Sequence, residues 1–83
     1  MPHFSCEVYI RPRQDILDPQ GDAVARALRD LGFSSASDVR IGRYIRLSVE
    51  ADGEQEARAK LDEMCAKLLA NPVTEDYEVK VAH

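Results

Sequence analysis

Residues 38–50, DVRIGRYIRLSVE, constrain the fold of this chain more than any other stretch. Val39, Ile41, Ile45, Leu47 and Val49 all fall on odd positions. Successive side chains of an extended chain point to opposite faces, so these residues share one face of a strand. Arg43 alone breaks the apolar set, and Arg40, Gly42, Tyr44, Arg46, Ser48 and Glu50 make the opposite face mostly polar. The rival arrangement is a tight hairpin with Gly42-Arg43 as its turn. That turn would split the apolar set between two faces, whereas one long strand, with Gly42 as a bend or bulge, keeps it whole. From Val39 to Val49 the strand would run roughly 36 Å, at about 3.3 Å per residue. A compact chain of this size is only roughly 30 Å across, so one end of this long central strand overhangs its partners. An overhanging, half-apolar edge seeks another chain, and self-association through it is expected.

At 83 residues the chain is expected to be a single domain over 1–83, near the small end of what folds without staples. The hydrophobic share of 45% suffices for a modest core but not for a deep enclosed active site. The net charge is −4 and no basic run carries interleaved aromatics, so nucleic acid is excluded as a partner. Cys6 and Cys65 form no CxxC pair and read as small buried apolar residues. No apolar run reaches membrane-spanning length and no signal peptide is visible, which makes a cytoplasmic protein with no membrane partner the default.

The rest of the chain falls into order around the long strand. Phe4, Cys6, Val8 and Ile10 alternate with polar residues, which predicts a half-buried strand over 3–11, closed by Pro12. Asp18 is a good helix N-cap and Pro19 suits the first helical position. Gly21 inside that first turn is unusual; a close backbone approach is the plainer explanation, an anion on the exposed amides the sharper one. Val24, Ala27, Leu28 and Leu31 form the apolar stripe of a helix that ends at Gly32, with Phe33 as its hydrophobic contact. A second helix starts with Asp52 as N-cap and buries Ala57, Leu61, Met64, Cys65, Leu68 and Leu69. Asn71-Pro72 ends it, and a last strand covers 75–81. The fold class is therefore α+β: an antiparallel sheet with two helices on one face, ferredoxin-like, βαβ(β)αβ.

No chemistry is visible in these residues. His3 and His83 sit at the two ends without ligand-spaced partners, and the serines have no interior histidine to activate them. There is no P-loop or GxGxxG. Glu75 and Asp76 are adjacent, so on a strand they face apart, and a solvated rim is the better reading for them. What remains is an interaction module, with a small-ligand regulatory module of the ACT type as the alternative.

Three blocks carry the reading further. They are ILDPQG (16–21) followed by Ala27-Leu28 and Leu31-Gly32-Phe33, VRIGRYI (39–45), and CAKLLANPV (65–73) followed by Glu75 and Tyr77. Their order and spacing resemble PurS, the small subunit of phosphoribosylformylglycinamidine synthase, over nearly the whole chain. Arg43 stands where the family more often has lysine. The resemblance implies a subunit with no catalytic residues, no bound cofactor and no metal of its own. It would bridge a glutaminase, PurQ, and an ATP- and Mg-dependent synthetase, PurL, in purine biosynthesis. It also implies a homodimer or homotetramer. Candidate interface residues are Arg40, Gly42, Arg43, Tyr44 and Arg46 along the long strand, with Asp18, Gln20, Gly21, Asn71 and Pro72 at the helix boundaries. Arg and Tyr are common interface anchors, while the boundary residues are equally accounted for by capping and turn geometry alone.

Overall fold

The computed structural model describes residues 2–82. The elements run β1 (His3–Pro12), α1 (Pro19–Asp30), β2 (Arg43–Glu50), α2 (Glu54–Met64), a π turn (Cys65–Leu69) and β3 (Glu75–Ala82). The three strands form one antiparallel sheet in the order β2-β1-β3. The α+β expectation and its element order hold, but the middle of the sheet is β1, and β2 is an edge strand. Phe4, Cys6, Val8 and Ile10 of β1 are almost fully buried. Each lies opposite a residue of both neighbours or of one: Cys6 faces Leu47 and Val81, Val8 faces Ile45 and Val79. A strand with so complete an apolar set belongs where both edges and one face are covered.

The long strand is shorter than its pattern implies. Pairing starts at Arg43, and residues 39–42 are not part of the ladder. The reason lies in the partner: β1 ends at Pro12, which has no N–H to donate. The main-chain amide of Ile41 bonds a side chain of the β1–α1 loop instead, at 2.8 Å.

Ala57, Leu61 and Cys65 of α2 and its π turn bury against the sheet, closing a core with Val49, Ala51 and Ala70. Lys60 Nζ donates to the Glu50 carbonyl at 2.9 Å and pins α2 to the end of β2. The helix cap is Gly53, not Asp52; its carbonyl accepts the first helical bond from Ala57 N, and no side chain caps the turn. Met64 and Leu68 lie outside the core, although the helical period includes them. The π turn explains Leu68. The Ala70 amide reaches back five residues to Cys65, which adds one residue to the turn and rotates the residues at its end. Leu69 and Ala70 swing in, and Leu68 is left 82% exposed. Cys6 and Cys65 are both buried free thiols.

Helix α1 is built as expected at both ends. Its C-terminus is a Schellman motif: Phe33 N bonds Leu28 O at 2.9 Å and Gly32 N bonds Arg29 O at 3.0 Å, with Gly32 at φ 98°. Its expected buried stripe is not buried, because Gly21 is the only buried residue of the helix. The chain is drawn out to 52 × 25 × 14 Å, with a radius of gyration of 16.4 Å against about 12 Å for a compact chain of this length. A ten-residue strand supplies about 33 Å of that length, so the overhang belongs to α1 and its connector rather than to β2.

Candidate functional site

Asp18, Gly21 and Arg40 meet at one knot. The Asp18 carboxylate accepts two main-chain amides, Oδ1 from Gly21 at 3.0 Å and Oδ2 from Ile41 at 2.8 Å. One bond caps α1 and the other ties the helix start to the connector behind it. These donors, Ile41 foremost and then Gly21, favour the charged form and hold the carboxyl below its ordinary range. The Gln20 amide adds to the set, while the residue itself is exposed. Gly21 is there for close packing: a Cβ would stand 2.3 Å from the Val39 carbonyl oxygen. Arg40 Nη2 closes the knot by donating to the carbonyls of Arg13 at 2.5 Å and Ile16 at 2.9 Å. At Gly42 a Cβ would meet the Ile10 carbonyl oxygen, also at 2.3 Å.

The knot makes a testable pH dependence. A carboxyl whose folded pKa is depressed adds stability above its unfolded value, about 3.9, and loses it as pH falls through the folded one. Asp18→Asn keeps one acceptor but turns an N–H toward an amide that needs an acceptor. At neutral pH its thermal midpoint is expected about 5 °C below the parent's. The gap should narrow below about pH 4. A gap that is the same at every pH from 7 to 2.5 would show that the Asp18 charge does not hold the knot.

A second frame continues from the first. Glu75 Oε1 accepts from Arg43 Nη2 at 2.7 Å and from the Asn71 amide at 2.7 Å. Asn71 Oδ1 accepts from Val73 N at 3.0 Å, and the Glu75 amide bonds Asn71 O at 2.8 Å. Arg13 Nη2 donates to Pro72 O at 2.9 Å, and its amide donates to Thr74 O at 2.9 Å. Glu75 is therefore no solvated rim; it ties the start of β2 to the turn before β3. Asp76 does face the other way, 3.5 Å from Arg13 Nε.

Tyr44 and Arg46 lie elsewhere, on the face of the sheet that no helix covers. There Glu7 of β1 accepts from Tyr44 Oη at 2.7 Å and from Tyr9 Oη at 2.9 Å. The two rings are tilted with centroids 5.2 Å apart, and Lys80 Nζ stands 5.2 Å from the Tyr9 ring centre. The hydroxyl of Tyr44, then that of Tyr9, pulls the Glu7 carboxyl below its ordinary range, and the same bonds push both phenols up. Arg46 lies directly across the ladder from Glu7.

So the sequence candidates divide. Asp18, Gly21, Arg40, Gly42, Arg43, Asn71 and Pro72 share one continuous frame at an end of the sheet, and their polar groups are used within the chain. Tyr44 and Arg46 belong to an open platform centred on Glu7 and Tyr9, which the sequence reading passed over, as it did Arg13; Glu75 it took for solvated rim. Among the described residues no cluster of three His, Cys, Asp or Glu is placed to hold a metal ion, and no helix is long and apolar enough to cross a membrane.

A family model described as PurS, phosphoribosylformylglycinamidine (FGAM) synthase, matches residues 5–83. The chain belongs to the PurS family. The PurS subunit from Synechocystis sp. is 47% identical over 74 residues, covering 89% of this chain and 74% of the relative. The PurS structure from B. subtilis is 41% identical, with a TM-score of 0.86 over 96% of this chain and 99% of that one. A chain of the PurLQS structure from Thermotoga maritima is 34% identical, with a TM-score of 0.89 over 98% of this chain and 99% of that one. The frame and the platform thus sit on a PurS fold, whose family is that of a subunit of FGAM synthase.

Proposed function

We propose that this chain is the non-catalytic bridging subunit of phosphoribosylformylglycinamidine synthase. It joins a PurQ-type glutaminase to a PurL-type synthetase as a homodimer or homotetramer, in the cytoplasm. The synthetase holds ATP and Mg; this chain binds neither. The reaction served converts formylglycinamide ribonucleotide, glutamine and ATP to formylglycinamidine ribonucleotide. One observation carries the reading: nearly the whole chain superimposes on a chain of the Thermotoga maritima PurLQS structure. The geometry suits it. The frame makes a stiff end to the sheet, and the Tyr9–Tyr44–Glu7 platform offers aromatic and charged groups of the kind that anchor interfaces.

A bridge without chemistry still has a physical task. Ammonia released into neutral water is protonated and loses its nucleophilicity. Holding donor and acceptor sites in register raises its effective concentration, and covering the path keeps water away. Reconstitution with purified PurL- and PurQ-type subunits tests this. Product formation from glutamine should need this chain, whereas formation from an ammonium salt should not. Equal glutamine-dependent rates with and without the chain would refute the bridging role.

A further inference from the structure

Arg13 bonds two distant segments of the chain at once. Its amide donates to Thr74 O at 2.9 Å, and its Nη2 donates to Pro72 O at 2.9 Å. Its own carbonyl oxygen accepts from Arg40 Nη2, and from the Ile16 amide at 3.1 Å. One residue thus joins the turn before β3 to the connector before β2.

A second tie runs between the same two segments. Arg43 Nη2 donates to Glu75 Oε1 at 2.7 Å, three residues along the connector from Arg40. The main chain from 40 to 43 and from 72 to 75 completes a closed ring of bonds through Arg13. The Glu75 side chain is only 21% exposed, so water competes weakly for its donors. Asp18 fastens α1 to this ring at the Ile41 amide, which lies between Arg40 and Arg43. Gly21 is the only buried residue of α1, so packing gives the helix little hold and the bonds at its start count for more.

A ring of this kind opens cooperatively. Breaking one tie frees little, because the other still holds the same two segments. Once both are broken, the connector and the turn are released together. We propose that the anchor of α1 and the turn at 71–75 open and close as one unit, so that a partner seated on either is felt at the other. A partner that binds only the closed form raises its population, and the closed form then holds a second partner at the other segment more tightly. By linkage the effect is equal in both directions. This deepens the bridging role by adding a regulation to it, and it rests on that reading for its partners: a glutaminase and a synthetase held by the two segments would strengthen each other's binding.

Amide exchange of the chain alone, followed by NMR, tests the unit. In the parent, the Asn71 and Glu75 amides should exchange faster than those of β1, because they open without global unfolding. Among the described residues the Asp18 side chain bonds only the amides of Gln20, Gly21 and Ile41, none of them in the turn. Asp18→Asn should nevertheless speed exchange at Asn71 and Glu75 by about fivefold, the same factor as at Ile41. In the reverse direction, Glu75→Gln should speed exchange at Gly21 and Ile41. Turn amides that ignore Asp18→Asn would mean that the turn opens by itself, and would overturn the proposal. So would Gly21 and Ile41 amides that ignore Glu75→Gln, or parent turn amides as slow as those of β1. These rates are read without any other subunit, whereas the bridging role is read from glutamine-dependent product. A chain that bridges while its turn ignores Asp18→Asn would therefore sink the coupled unit and leave the role in place.

Discussion

Gly21→Ala is expected to destabilise the fold by about 3 kcal/mol, the upper range for forcing a methyl into filled space. The thermal midpoint should fall by about 15 °C. Helix propensity alone gives the opposite sign, since alanine in a first turn is worth roughly 1 kcal/mol more than glycine. The contact decides it. The added carbon would stand 2.3 Å from the Val39 carbonyl oxygen and 2.7 Å from Asp18 Oδ2. The carboxylate could rotate, but only by giving up the Ile41 amide, and the carbonyl is main chain. Either response opens the knot at the start of α1. Gly53→Ala is the control. Nothing lies within 4 Å of a Cβ there, and φ is −159°, an extended value any residue adopts. Its midpoint should move by no more than about 2 °C, because it neither fills space nor strains the backbone. Circular dichroism melts of both variants read the difference directly. A Gly21→Ala protein as stable as the parent would mean that the 39–41 segment gives way freely, and the knot would lose its role as the anchor of α1.

The sequence carried most of the elements and some of the site, for identifiable reasons. Period-two alternation marked β1, with one face buried, and β3, whose Val79 and Val81 are half-buried against the core, and the Schellman signal Leu31-Gly32-Phe33 marked the end of α1 because it is local. The same alternation misled at 39–41. Those residues alternate as a strand would, but whether they pair is set by where β1 stops, and Pro12 lies far away in sequence. Period 3.6 found the stripe of α1 but not its direction, since an amphipathic helix looks alike whether or not its apolar side meets its own sheet. The Glu7 platform was half legible. Glu7 and Tyr9 are two apart on a strand and must share a face; the arrival of Tyr44 depends on the register of β2 against β1, which no short-range signal fixes. Glu75 was misread because its partners, Arg43 and the Asn71 amide, come from segments that only the fold brings together.

Leu61→Ala and Leu68→Ala separate what the helical period could not. Both positions belong to the stripe that the sequence marks on the second helix, yet Leu61 is fully buried and Leu68 almost fully exposed. Leu61 fills the single layer between α2 and the sheet, so its truncation leaves a cavity and should cost about 2–5 kcal/mol. Stability of about 0.05–0.15 kcal/mol per residue gives a chain this short roughly 4–12 kcal/mol in all. The Leu61→Ala loss is thus about a sixth of the total at the least, present at any protein concentration in urea unfolding. Leu68→Ala removes no core contact, and the folded single chain should not feel it. Whatever it costs must come through association, so its effect should grow with protein concentration as the parent's midpoint rises and the variant's does not. If Leu68→Ala instead lowered the midpoint equally at all concentrations, Leu68 would belong to the core of one chain, and the π turn would not turn it outward. If Leu61→Ala cost under about 1 kcal/mol, the layer between α2 and the sheet would not be the core that holds this fold.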